Sequence, residues 1–117
     1  MPSQTFQADH RYDRRVPIDI LLNKYVKGRP YLCRATNISR RGLLVHRIHE
    51  PQLPETHIGL QFQLPGDDRV ITCAGQITYE HSWLTASGIR FTSVAPEHQQ
   101  LIDSFIMSQL RWDALGG

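Results

Sequence analysis

The stretch Tyr31-Leu32-Cys33-Arg34-Ala35-Thr36-Asn37-Ile38-Ser39-Arg40-Arg41-Gly42-Leu43-Leu44-Val45-His46-Arg47-Ile48 decides the fold. Its two flanks, 31–38 and 43–48, are rich in apolar and β-branched residues, and polar residues and a glycine separate them at 39–42. That is the pattern of two strands joined by a turn. Upstream, residues 17–25 (PIDILLNKY) read as a strand that meets 31–38 through the turn signal Lys27-Gly28-Arg29-Pro30. Downstream, residues 49–56 (HEPQLPET) carry two prolines and read as a loop. Residues 58–64 (IGLQFQL) alternate apolar and polar, then break at Pro65-Gly66-Asp67-Asp68, a tight-turn sequence. Residues 70–79 and 84–91 complete the set, joined around Glu80-His81-Ser82.

Only one segment has helical periodicity. From Pro96 onward, Leu101, Ile102, Phe105, Ile106 and Leu110 fall on one helical face, and proline suits the first turn of a helix. Six short strands and one terminal helix predict a mainly β fold, a six-stranded antiparallel β-barrel with a C-terminal α-helix. The expected layout is a flexible arm at 1–9, a single domain at 10–110 and a tail at 111–117.

A chain of 117 residues is long enough to bury one core. Its 40% apolar and 21% charged residues are ordinary for a globular domain. No apolar run approaches the roughly 20 residues of a membrane helix, and the polar start MPSQTFQADH has no signal-peptide core. Cys33 and Cys73 both sit in strand-like apolar contexts, which predicts buried, inert thiols in a reducing cytoplasm. The six histidines show no metal-ligand spacing with each other or with the cysteines, so no metal is expected. Trp83 and Trp112 read as packing or rim residues. No residue set supports catalysis.

Net charge is +2, too small for a general nucleic-acid binder. Its distribution is uneven. Arg11, Arg14 and Arg15 form one cluster, and Arg34, Arg40, Arg41 and Arg47 a second, with only Asp13 to offset them inside those stretches. Arginine suits bidentate recognition of phosphate and of guanine edges, although a basic cluster is also an ordinary solvated face.

Two motifs could carry chemistry. Arg11-Tyr12-Asp13-Arg14-Arg15 places two arginines four residues apart before the first strand. Asn37-Ile38-Ser39-Arg40-Arg41-Gly42 ends the second strand, with amide and hydroxyl groups able to meet a base edge and a glycine that permits a tight turn or close ligand approach. Each alone is weak, since Asn37 and Ser39 could as well bond their own backbone.

Together, and in this order, Arg11-x-x-x-Arg15 and Asn37-x-Ser39-x-x-Gly42 resemble the signature of the PilZ-domain family. The resemblance continues through Val16-Pro17-Ile18, Gly42-Leu43-Leu44-Val45, Leu64-Pro65-Gly66 and Gly88-Ile89-Arg90-Phe91, and covers roughly residues 10–110. It implies a barrel that senses cyclic di-GMP through Arg11, Arg15, Asn37, Ser39 and Gly42, with His10, Arg14, Arg40 and Arg41 in possible support. It further implies a module that is not an enzyme, has no cofactor beyond that ligand and acts on an effector protein, with control of motility or biofilm formation in view. Two alternatives stay open. One is a PilZ-like adaptor that binds only protein. The other is a small barrel for single-stranded nucleic acid, which would want a broader basic groove with interleaved aromatics.

Overall fold

The computed structural model describes residues 14–48, 54–81 and 85–115. Its strands are β1 (Val16–Val26), β2 (Arg29–Ser39), β3 (Gly42–Arg47), β4 (His57–Phe62), β5 (Ile71–His81) and β6 (Ala86–Val94). A helix, α1 (Pro96–Ala114), follows. Every strand pairing is antiparallel, and the order β1-β2-β3-β6-β5-β4 closes on itself through β4 and β1. Closure removes the open sheet edges that would otherwise pair with other chains.

Alternation along the strands fills the interior. Val16, Ile18 and Leu22 of β1 face inward, joined by Cys33 and Ala35, Leu43 and Val45, Ile58, Leu60 and Phe62, Ile71 and Ile89. Burying a branched side chain of this kind contributes about 1.5–3 kcal/mol relative to leaving it exposed. Helix α1 begins at Pro96, where the missing N–H would have no helical partner anyway. It drives Ile102 and Ile106 into the same core, with Leu101, Phe105 and Leu110 packed at its margin. It continues past Leu110 to Ala114, and Trp112 on this last turn is exposed.

Several boundaries differ from the sequence reading. The first hairpin turn is only Lys27-Gly28, and Arg29 and Pro30 already pair with Val26 and Tyr25. Both central residues have positive φ, 52° and 77°, the two-residue geometry whose twist matches the flanking strands. Strand β4 stops at Phe62, yet Leu64 beyond it is buried and its carbonyl accepts the Asp67 N–H that closes the next turn. Strand β6 starts at Ala86 and runs on to Val94. Cys33 is fully buried as expected, whereas Cys73 is only partly so.

A bulge in β2 sets which residues face out. Register shifts by one between Ala35 and Asn37 against β3. Ala35 and Ile38 are both fully buried, so Thr36 and Asn37 fall consecutively on the outer side. Strict alternation would have turned Asn37 inward with Cys33 and Ala35, and Ile38 outward. The bulge reverses both.

Gly42 opens β3 opposite Arg90 of β6. A Cβ on Gly42 would lie 2.0 Å from the Ile89 carbonyl oxygen, a backbone atom that cannot swing aside. A Cβ on Gly59 would meet only the Tyr25 Cβ, at 3.4 Å. Gly42→Ala is therefore expected to destabilise the barrel by about 2 kcal/mol or more, and Gly59→Ala by about 1 kcal/mol or less. Urea unfolding checks this, and equal losses would contradict it. A second outcome concerns thiols. Burial pushes the Cys73 thiol up to about 12, and Cys33 is enclosed, so native protein at pH 8 should alkylate far more slowly than urea-unfolded protein.

Candidate ligand site at the β2–β3 turn

Arg15 is exposed and directly precedes β1, whose first residue Val16 pairs with Ile38. Pairing thus brings the residues around Arg15 beside the end of β2, although 22 positions separate Arg15 from Asn37. The guanidinium Nη1 donates to Asn37 Oδ1 at 2.8 Å. The two sequence motifs therefore touch. The bulge that turns Asn37 outward makes this contact possible.

The turn itself, Arg40-Arg41, is held at three points. Ser39 Oγ accepts the Arg41 N–H at 3.2 Å. The Arg41 carbonyl accepts the Phe91 N–H of β6 at 2.7 Å. The Arg40 carbonyl accepts from Gln99 Nε2 of α1 at 3.1 Å. Gln99 Nε2 also donates to Asp103 Oδ1 at 2.8 Å, and Arg40 Nε lies 3.7 Å from that same oxygen. The loop is bonded to itself, to the neighbouring strand and to the helix, so its backbone shape is largely set before any ligand arrives.

Each described residue singled out from sequence has a place. Arg15 and Asn37 form the exposed, bonded pair. Ser39 is buried and serves the turn, the local backbone bond that an Asn/Ser turn also predicts. Gly42 is required by the closeness of β6, because Ile89 fills the space a side chain would need. Arg40 leans toward Asp103 on the helix. Arg41 and Arg14 are exposed. His10 and Arg11 lie outside the described residues.

Three residues escaped the sequence reading as site residues. Gln99 and Asp103 lie on the helix, and nothing in their spacing signals contact with a turn some 60 positions earlier. Arg90 stands opposite Gly42, two strands from Ser39. Its outward face could have been inferred from the alternation of Gly88, Ile89 and Arg90 once the strand was placed.

The closed barrel thus carries an arginine bonded to an outward asparagine, a pinned polar turn and a C-terminal helix packed on the core. The PilZ domain model matches residues 9–108, and the chain belongs to that family. Among solved structures, it is similar to the Bacillus subtilis inhibitor of motility (MotI/DgrA), with a TM-score of 0.69 and 16% identity. The match covers 83% of this chain and 50% of that one, so this chain spans half that protein's length. At such identity the likeness speaks to fold alone. No curated protein sequence matches the chain.

Because the Arg15–Asn37 bond is exposed, Arg15→Ala should move the urea-unfolding free energy by no more than about 0.5 kcal/mol. Gln99→Ala should lose about 1 kcal/mol, since it strips a bond from the Arg40 carbonyl. A larger loss for Arg15→Ala than for Gln99→Ala would make Arg15 a structural residue.

Proposed function

We propose that the chain is a cyclic di-GMP sensor whose surface changes on ligand binding and thereby regulates a partner protein. The observation that supports this reading is the 2.8 Å bond joining Arg15 to Asn37, which brings residues of two separate motifs together. Membership of the PilZ family supports the choice of ligand. Arg15, with Arg11 ahead of it, supplies the forked donors that suit phosphate oxygens and guanine O6 and N7. Asn37, its oxygen engaged by Arg15, meets the ligand through its amide N–H donors.

Ser39 and Gly42 act by shaping the turn against which the ligand rests. The proposed action needs no catalytic group and no metal. The residues N-terminal to β1, from His10 to Arg14, would close over the ligand and present a different surface to an effector protein. Residues 1–9 would be an arm ahead of the single domain at 10–110, and 111–117 a tail. Among the described residues no helix is long and apolar enough to cross a membrane, which is compatible with the cytoplasmic setting proposed here. The name of the similar inhibitor of motility makes motility the first process to test.

Calorimetric titration of the full chain should show saturable binding of cyclic di-GMP and much weaker binding of GMP, which cannot engage both motifs at once. Arg11→Ala and Arg15→Ala should each weaken binding by about 1.5–3 kcal/mol, Ser39→Ala by less and Arg111→Ala hardly at all. Raising salt should lower affinity without abolishing it. Equal affinity for GMP and cyclic di-GMP, or full affinity in Arg15→Ala, would overturn the assignment. A folded chain with no binding would favour the adaptor reading.

A further inference from the structure

The site does not end at the turn. Along one row of the barrel, Ser39 pairs with Gly42, Gly42 with Arg90, and Arg90 with Gln76. Neighbouring strands lie about 4.8 Å apart, so Arg90 stands about 10 Å from Ser39 across the sheet. Ile89 is buried, and Arg90 next to it is exposed on the outer face. Between Ser39 and Arg90 lies only Gly42, which has no side chain to wall one from the other.

Beside Arg90 a groove of roughly 460 Å³ opens between the turn, the end of β6 and the start of α1. Arg40, Arg41, Arg90, Thr92, Ser93 and Gln99 supply its polar lining, and among the described residues no carboxylate lines it. Arg90 Nη2 donates to Gln76 Oε1 at 2.9 Å. Gln76 lies on the strand beyond Arg90, away from Gly42, so this neutral partner orients the guanidinium without cancelling its charge.

We infer that Arg90 and Arg41 form a second anion subsite in this groove, one that takes a phosphoryl group of the ligand on the β6 side of the turn. Three guanidiniums line this one concave surface, Arg40 held beside Asp103 at 3.7 Å and Arg41 and Arg90 exposed, which raises the positive potential there. The hydroxyls of Thr92 and Ser93 add donors of the kind that complete a phosphate shell. The concavity and these short polar groups favour a small phosphorylated ligand over an acidic protein face. For cyclic di-GMP, the inference rests on the function proposed above. One phosphate would meet the Arg15–Asn37 side while the other meets Arg90. A mononucleotide would reach only one of the two.

The test uses the isotopically labelled full chain in two arms. In the first, pyrophosphate alone is titrated and amide shifts are followed in wild type and Arg90→Ala. Shifts should gather at 40–41, 90–93 and the Gln99 side-chain amide, and should disappear in Arg90→Ala. In the second arm, cyclic di-GMP affinity should fall about tenfold in Arg90→Ala and recover in part in Arg90→Lys, which keeps the charge but not the fork. Gln76→Ala should give a smaller loss. Pyrophosphate shifts scattered evenly over surface arginines, or full cyclic di-GMP affinity in a folded Arg90→Ala, would overturn the subsite. Groove shifts with pyrophosphate, but no binding of cyclic di-GMP by wild type, would sink the proposed ligand and leave the subsite standing.

Discussion

The approach of the Gly42 backbone to the Ile89 carbonyl is the contact on which the rest of the structure depends. A side chain at position 42 would fall 2.0 Å from that oxygen, so β3 and β6 could not pair as closely as they do. Their pairing joins the β1-β2-β3 meander to the β4–β5–β6 half of the sheet, and the barrel closes there and at the β1–β4 seam. It also brings Phe91 to the Arg41 carbonyl, which fixes the turn, and sets Arg90 on the same row as Ser39. Fold and site thus share one steric requirement, and a change at Gly42 would disturb both.

The second constraint is the bulge at Thr36. It costs one regular ladder step and returns a switch of face, Asn37 outward and Ile38 inward. The Arg15–Asn37 bond follows from that switch. This bond adds little to stability because it is exposed, and its importance lies in bringing two stretches far apart in sequence onto one surface. The turn behind it is pinned by Ser39, Phe91 and Gln99, so recognition would draw on a framework already built.

Much of the fold was legible in the sequence because its signals are local. Alternation marked the strands, Pro96 and the 101–110 spacing marked the helix, and Lys27-Gly28-Arg29-Pro30 marked a turn. Strand ends were less legible: Pro30 reads as a turn residue yet pairs with Tyr25 across a tighter two-residue turn, and Val94 joins its strand through pairing with Cys73, far away in sequence. At the site, Arg15 and Asn37 could be named from their motifs, but not the bulge that lets them meet. Gly42 was read as permitting a tight turn or a close ligand approach, and the structure supplies a further reason for it, the backbone of β6. Gln99, Asp103 and Arg90 reach the turn only through the packing of α1 and the closure of the barrel. Their contributions are tertiary and leave no mark in spacing.

The central claim is that the Arg15–Asn37 pair and the turn behind it receive cyclic di-GMP. Amide hydrogen exchange of the full chain, with and without that ligand, tests it most directly. The account predicts that ligand raises protection at residues 10–15 and 37–42 and changes residues 100–114 little. Protection that is unchanged by saturating ligand, or that rises only away from the turn, would contradict it.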